Sequence, residues 1–351
     1  MSADIQPEPK HRNDLDGLRG VAVLPVLFYH AGIWPFFGGY VGVDVFFVLS
    51  GYLITGLILR EYDAGRFSFA AFYDRRIRRI LPALGAMLLV ATLVAPFILL
   101  PDELSHYGTS LLGAVLSCAN IFDWLRGAAY FAPLAGENPL LHVWSLSVEE
   151  QFYLLWPVLL VALARLRRLL PWAILALAAL SLAMALAAAG TDPNAAFYLL
   201  PARAWQILLG ALLAAGGAAP PSNVIARNGV AAAGAVLIAA AAVFSDATLL
   251  YHPWNALAAA LGAAAILHAS DGGPTLVGAA LATRVPVFVG RISYSLYLWH
   301  WPALAFSRLF VGRSLSPLEA SAVLVAVVPV AVLSWRYIEQ PIRWRRWTWR
   351  A

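Results

Sequence analysis

The sequence has few charged residues and a single cysteine. Charged side chains make up 12% of the 351 residues, whereas soluble globular domains carry about 25%. The one cysteine, Cys118, excludes an intramolecular disulfide. The chain also has no Walker phosphate-binding loop, no dinucleotide-binding glycine pattern after a strand and no Cys/His spacing typical of zinc sites. We therefore expect neither a soluble nucleotide-dependent enzyme nor a bound metal.

Hydrophobic residues are correspondingly abundant. They make up 61% of the chain, and the mean hydropathy is +0.74. They are gathered into eleven apolar blocks, many of about 17–25 residues, which is the length of a helix that spans a bilayer. The short alternating segments of a transmembrane barrel are absent. The composition predicts an all-α, polytopic integral membrane protein.

The distribution of basic residues predicts the topology. The net charge of +5 comes from arginines in short loops, which orient a membrane protein rather than bind nucleic acid. If the relatively polar block 105–122 does not cross, the predicted cytoplasmic side holds 20 of the 24 Lys and Arg residues; if it crosses, only 13. The positive-inside bias favours the first arrangement. We expect one transmembrane domain, 1–351, with ten transmembrane helices, a re-entrant or interfacial segment at 105–122 and cytoplasmic tails at 1–14 and 339–351.

Ionisable residues within the predicted spans are candidates for function. Arg19 and His30 lie eleven residues apart in the first block, about three helical turns, so their side chains project from nearly the same face. Asp44 starts the second block, close in sequence to His30. A carboxylate that accepts a hydrogen bond from one imidazole nitrogen would leave the other nitrogen free to act as a base. The alternatives are an arginine reaching the lipid headgroups, a structural histidine and an ordinary interfacial aspartate.

Four arginines crowd the start of the third block. Arg75 and Arg78 share one helical face, and Arg76 and Arg79 share another. Guanidinium groups match the geometry of phosphate oxygens, which indicates an anion site. A basic flank that only sets the topology, or one that binds lipid headgroups, explains the same pattern.

A later span carries two adjacent carboxylates, Glu149 and Glu150. Adjacent positions on a helix point about 100° apart, so the two carboxylates cannot act as a facing pair. His142, Ser145 and Glu149 fall at i, i+3 and i+7 and share a face. A hydrophobic span gains nothing in packing from carboxylates, which favours a functional role for Glu149.

A second polar stripe lies near the end of the chain. Ser293, Tyr297 and His300 fall at i, i+4 and i+7 of one predicted span. The stripe is explained equally well by a binding site and by a seam of hydrogen bonds between helices.

Six motifs in order give the chain a family resemblance: LDGLRG…FYH, GVDVFFVLSGYLIT, FYDRRIRRILPA, LLHVWSLSVEEQFYLLWP, ISYSLYLWHWP and YIEQPIR. Together they resemble the bacterial transmembrane acyltransferase family 3, the O-antigen and exopolysaccharide O-acetyltransferase type. The resemblance implies ten spans, a signature pair matched by Arg19 and His30, and a cytoplasmic Arg-x-x-Arg motif matched by Arg75 and Arg78. Many members carry an additional extracytoplasmic esterase-like domain, and we expect this protein to be of the type without it. A transferase domain on another chain is therefore an open expectation.

The resemblance implies an enzyme that moves an acyl group, acetyl in the first instance, from cytoplasmic acyl-CoA to a hydroxyl of an extracytoplasmic glycan or glycolipid. We expect it to be a multi-pass protein of the bacterial cytoplasmic (inner) membrane. The alternatives are a small-molecule acceptor, a different acyl donor, or a secondary transporter that uses buried His and Glu as a proton relay.

The expected roles divide the candidate residues into three groups. The catalytic group is His30, Asp44 and Glu149; the donor-binding group is Arg19, Arg75 and Arg78, with Arg76 and Arg79 as second choices; the acceptor-binding group is His142, Ser145, Tyr297 and His300.

Overall fold

The computed structural model describes residues 11–127, 138–245 and 253–344. Within these ranges every regular element is a helix, which confirms the predicted all-α class. The predicted tails 1–14 and 339–351 lie largely outside the described residues.

Fifteen α-helices make up the described chain. They are α1 (Asn13–His30), α2 (Gly42–Asp63), α3 (Phe69–Ile98), α4 (Pro101–Val115), α5 (Ala119–Leu125), α6 (Val143–Ala164), α7 (Leu170–Thr191), α8 (Pro193–Tyr198), α9 (Leu200–Ala214), α10 (Val224–Phe244), α11 (Pro253–Asp271), α12 (Leu276–Leu281), α13 (Arg284–Val311), α14 (Pro317–Ser334) and α15 (Gln340–Trp344). A 3₁₀ turn, Gly39–Val41, precedes α2, and a π-helical turn, Trp335–Glu339, joins α14 to α15.

In the part of the chain that the structure describes, seven helical segments are long and apolar enough to cross a membrane, so the chain is a multi-pass membrane protein. They comprise α2, α3, α6, α7, α8 with α9, α10, and α14 with its continuation. The helices α1, α11 and α13 have 18, 19 and 28 residues and are not among these seven. The count of ten spans includes these three helices and stays a prediction.

The segment predicted to be re-entrant or interfacial folds into α4 and α5. Ser117, in the turn between them, has φ of 55°. The helices have 15 and 7 residues, and each is shorter than the roughly 20 residues that a crossing requires. Trp124 of α5 donates its indole N–H to Asp192 before α8, over 2.8 Å, and this hydrogen bond lowers the pKa of the Asp192 carboxyl.

Two helices that carry candidate residues, α1 and α13, pack backbone against backbone. A Cβ added at Gly290 would lie 1.7 Å from the Asp16 carbonyl oxygen, and one at Gly20 would lie 2.4 Å from the Pro286 oxygen. Small residues allow such close approach between membrane helices. Because α1 and α13 run in the same direction, the last residue of α1 comes to lie beside the second half of α13.

Candidate active site

A cleft opens between α1, α2, α3, α6 and α13. Its empty volume is about 870 Å³, the space open to solvent included. Most of its lining is apolar, but arginines, hydroxyl groups and one carboxylate also face it. The five helices that carry the predicted site residues therefore all contribute to one cleft. Asp44 and the three histidines His30, His142 and His300 lie on or at the start of these helices but do not line it.

The cleft has two chemically different ends. Along α2 its lining runs from Val43 to Ile54, about 16 Å of helix. The helix α6 runs in the same direction, since the hydroxyl of Ser50 contacts that of Tyr153 and the Trp156 indole N–H donates to Thr55. Ser145 therefore lies towards Val43. We call this end, with Tyr297, the hydroxyl end.

The other end carries the arginines. After the short turn that follows α2, α3 returns along it, and Arg75 of α3 pairs with Glu61 near the end of α2. Arg76 and Arg79, on the same part of α3, thus line the cleft towards Ile54. We call this the arginine end. Arg19, from the second turn of α1, also lines the cleft.

The three arginines of the cleft lack acidic partners. None of the ion pairs within 4.0 Å among the described residues involves Arg19, Arg76 or Arg79. The guanidinium of Arg76 lies 5.8 Å from the ring centre of Phe72. Of the described carboxylates, Glu149 alone lines the cleft. The lining itself thus carries three cations and one carboxylate, while Glu150 and Glu339 lie within electrostatic range of the same arginines from outside the cleft. The positive excess in the lining favours an anionic ligand.

The structure distinguishes the two faces of the arginine motif. Arg75 lies 2.8 Å from Glu61 and Arg78 lies 2.9 Å from Asp74, and neither arginine lines the cleft. The spacing predicted two equivalent faces, and the rotation of α3 about its axis decides between them. The face that was the second choice is the one turned towards the cleft.

Glu149 stands between the two ends, on the face predicted for it. The hydroxyl of Tyr153 donates to Glu149 over 3.2 Å and also contacts Ser50. Ser145, one turn earlier on α6, faces the same cleft. Glu150 does not line it, and its buried Oε1 has no hydrogen-bond partner in the described part of the chain.

The hydroxyl end is held together by Tyr297. Its O–H donates to the carbonyl of His142 over 2.8 Å, and Ser145 lies 2.6 Å from the same phenolic oxygen. Ser293, one turn before Tyr297, also faces the cleft, and its fully buried hydroxyl has no partner among the described residues. The predicted stripe on α13 is thus split between the cleft and the cluster behind it.

Behind Tyr297 lie three imidazoles that do not line the cleft: His30, His142 and His300. Nδ1 of His300 lies 2.7 Å from the Tyr297 carbonyl, which can only accept, so this nitrogen carries the proton. Nε2 of a neutral His300 must then accept from Nδ1 of His30, 2.9 Å away. The pairing leaves Nε2 of His30 as its unprotonated nitrogen.

His142 has a fixed tautomer by the same reasoning. Its Nε2 donates to the Leu298 carbonyl over 3.1 Å, so Nδ1 carries a lone pair. That Nδ1 is buried without a hydrogen-bond partner in the described chain. The His142 and His300 rings are 5.8 Å apart. Among the described residues no three His, Cys, Asp or Glu side chains form a metal-binding group.

The backbone at the end of α1 is held separately. Arg308 of α13 donates to the His30 carbonyl and lies 5.5 Å from the ring of Trp301. The Trp301 ring in turn meets that of His30 edge-on at 4.6 Å. The position of His30 is therefore fixed by its backbone as well as by its ring.

The expected pair of Asp44 with His30 is wrong. Asp44 Oδ1 accepts from Gln206 over 2.8 Å and lies 3.0 Å from the guanidinium of Arg203, both on α9. The physical reason is that Asp44 points towards α9, which packs closely along α2, whereas the ring of His30 points towards α13. Asp44 has no direct contact with the imidazole that it was expected to orient.

Three of the buried polar residues were missed by the sequence reasoning. They are Tyr153, Arg203 and Gln206. An arginine inside an apolar block was the available signal for Arg203, since charges in spans are costly and need partners. No local pattern marks Tyr153 or Gln206, because their partners are on other helices.

Comparison with known proteins agrees with the motifs. Residues 12–336 match a family model described as an acyltransferase domain. The "Putative peptidoglycan O-acetyltransferase YrhL" of Bacillus subtilis is 32% identical over 356 residues, covering 94% of this chain and 54% of the relative. "Peptidoglycan O-acetyltransferase OatA" of Listeria monocytogenes is 32% identical over 351 residues, covering 95% of this chain and 56% of the relative.

A third relative, from Staphylococcus aureus and also described as a "Putative O-acetyltransferase", is 31% identical over 349 residues, covering 94% of this chain and 57% of the relative. The chain spans about half the length of the curated relatives it matches. No solved structure gives a significant match. Since the family model covers nearly the whole chain, this protein belongs to the acyltransferase family defined by that domain.

Proposed function

We propose that this protein is an integral membrane O-acyltransferase of the bacterial cytoplasmic membrane. It moves an acyl group, acetyl in the first instance, from acyl-CoA on the cytoplasmic side to a hydroxyl of an extracytoplasmic glycan. The observation that carries the proposal is the single cleft that joins arginines without acidic partners to hydroxyl groups, with three imidazoles behind them. The names of the relatives favour a cell-wall glycan such as peptidoglycan as the acceptor.

The donor binds along the cleft. Coenzyme A carries a 3′-phosphate and a pyrophosphate, and Arg76, Arg79 and Arg19 supply cations for them at and near the arginine end. The uncharged pantetheine arm then follows the mostly apolar lining. The cleft extends about 16 Å along α2, a length that suits the extended arm. The thioester comes to rest near Ser145 and Tyr297.

Transfer is a direct displacement with His30 as the base. Because Tyr297 stands between the cleft and His30, the step requires the acceptor to enter from the imidazole side of Tyr297. Its O–H gives its proton to Nε2 of His30, the hydroxyl oxygen bonds to the thioester carbonyl carbon, and the carbon–sulfur bond breaks. The imidazolium then passes the proton to the departing thiolate, which leaves as free coenzyme A. His300 accepts the hydrogen bond of His30 Nδ1 and so holds the tautomer that this step needs.

The remaining carboxylates have supporting roles. Glu149 lies in the cleft beside Tyr153 and offsets part of the arginine charge midway along the donor. Asp44 acts at a distance, through the helices that line the hydroxyl end. Transfer through an acyl-histidine is the competing route, and direct transfer is preferred because no acyl-imidazole then has to survive beside water.

Mass spectrometry of cell-surface glycans from bacteria with and without the gene tests the function. Glycans from cells with the wild-type protein should carry added acetyl groups, which raise their mass. Cells that express His30→Ala at the same level should not. Arg165→Ala, in the loop after α6, is the control and should behave as wild type. Unchanged glycans in wild-type cells would contradict the proposal.

A further inference from the structure

One wall of the hydroxyl end is an aromatic ring with rigid backing. Phe47 of α2 lines the cleft and is only 1% exposed. It belongs to the same end as Val43, Leu146 and Ser145, since it lies one turn after Val43 on α2 and meets the ring of Trp144 edge-on at 6.4 Å. The ring therefore forms part of the wall of the hydroxyl end.

The backing of that ring is a buried ion pair. The guanidinium of Arg203 lies 5.4 Å from the ring centres of Phe47, Trp144 and Phe197. Its exposure is 2% and that of Asp44, its partner at 3.0 Å, is 1%. A buried ion pair is costly to separate, because removal of either partner leaves an uncompensated charge. A ring packed against such a pair cannot move back to make room.

Gln206 adds to the rigidity. Its side chain donates to Asp44 over 2.8 Å, one turn after Arg203 on α9. The helices α2 and α9 are themselves in backbone contact, since a Cβ at Gly51 would lie 1.7 Å from the Ile207 carbonyl oxygen. The wall behind Phe47 therefore belongs to a close-packed helix pair rather than to a loop that could yield.

We propose that Phe47, backed by the Asp44–Arg203 pair, sets the length of the acyl group that the enzyme transfers. The inference rests on the proposed function, in which the thioester lies at the hydroxyl end. An acetyl group has a single methyl beyond the carbonyl and fits in front of the ring. A butyryl group has two more carbons and collides with it. Phe47 is thus a specificity-determining residue, and Asp44 and Arg203 are positioning residues.

The size of the expected effect follows from how strongly a hydrophobic pocket discriminates between substrates that differ by one methylene group. A single methylene more or less in such a pocket changes kcat/KM by about 10–200-fold. Replacement of the ring by a small side chain should therefore raise the ratio of kcat/KM for butyryl-CoA to that for acetyl-CoA by at least about 10-fold. Phe197→Ala is the matched control: Phe197 is buried and contacts Arg203 at the same 5.4 Å, but it does not line the cleft.

The test measures acyl transfer by purified full-length protein from acetyl-, propionyl- and butyryl-CoA to soluble peptidoglycan fragments. We expect wild type and Phe197→Ala to prefer acetyl-CoA, and Phe47→Ala to accept butyryl-CoA. If Phe47→Ala does not fold, Phe47→Val decides with the same readout. If Phe47→Ala still prefers acetyl-CoA as strongly as wild type, Phe47 does not set the acyl length. The proposal is also overturned if Phe197→Ala accepts butyryl-CoA as well as Phe47→Ala does. Absence of acetyl transfer by wild type would instead overturn the proposed function.

Discussion

Arg76 and Arg79 differ from Arg75 and Arg78 only in the direction in which α3 presents them. The first two face the cleft without an acidic partner, whereas Arg75 and Arg78 have carboxylates 2.8 and 2.9 Å away. An arginine that is already paired with a carboxylate contributes less binding free energy to a phosphate than an arginine without such a partner. The structure therefore separates arginines that line the cleft from arginines that pair with carboxylates within five residues of sequence. We propose that the first pair binds the donor.

We predict that Arg76→Ala and Arg79→Ala weaken acyl-CoA binding more than Arg75→Ala and Arg78→Ala do. Loss of one charge-assisted contact should cost about 1.5–3 kcal/mol. Isothermal titration calorimetry of detergent-purified protein with acetyl-CoA measures the difference. The prediction fails if the four variants bind acetyl-CoA with equal affinity, or if Arg75→Ala and Arg78→Ala bind it more weakly than the other two variants.

A second prediction at the residue scale concerns His300. If His300 only fixes the tautomer of His30, His300→Ala should lower kcat for acetyl transfer by roughly 10²–10⁴-fold, which is the usual contribution of a positioned base. The affinity for acetyl-CoA should change little. His268→Ala, at the far end of α11, is the control. Loss of acetyl-CoA binding in His300→Ala would show instead that the histidine shapes the cleft.

Some residue-level features could be predicted from sequence and others could not. The shared face of Ser145 and Glu149 follows from helical spacing, and both line the cleft. The partner of Asp44 could not be found, because Arg203 lies 159 positions away on α9. Spacing gives the face that two residues of one helix share, but it does not give the helix that this face meets.

At the scale of elements, the contact of α1 with α13 brings His30 to His300. It depends on glycines, since Gly290 packs directly on the backbone of Asp16. Apolar blocks could be predicted to be helices, and all of the long ones are. Which helices pair could not be predicted, because small residues are common along the whole chain.

Gly290→Ala should therefore destabilise the protein, whereas Gly85→Ala should not. A Cβ at Gly290 would lie 1.7 Å from a backbone oxygen, but one at Gly85 of α3 would meet nothing within 4 Å. Forced overpacking costs about 1–3 kcal/mol or more. Thermal unfolding in detergent should show a lower Tm for Gly290→Ala alone. Equal Tm values for both variants would mean that α1 and α13 are not packed in this way.

The helices α4 and α5 allow a test of topology. If they do not cross the membrane, the start of α4 and the end of α5 lie on the same, outer side. Asp102→Cys and Arg126→Cys, each made in a Cys118→Ala background, should both react with a membrane-impermeant maleimide added to whole cells. Reaction of the two cysteines from opposite sides would contradict the ten-span topology.

At the scale of the whole molecule, the two ends of the cleft give the protein a direction. The arginine end lies near the start of α3, and the histidines lie further towards the end of α13. In the ten-span topology these positions face the cytoplasm and the outside respectively. A proton-coupled transporter would also use buried His and Glu, but it would release its substrate without forming a covalent bond.

Sealed inverted membrane vesicles test this direction most directly. Acetyl-CoA labelled in the acetyl group is added outside, at the cytoplasmic face, and soluble peptidoglycan fragments are enclosed within. We predict that label becomes covalently attached to the enclosed fragments, with none attached in vesicles that carry His30→Ala. Attachment only when acetyl-CoA is enclosed and the fragments are outside, or entry of label without attachment, would contradict the account.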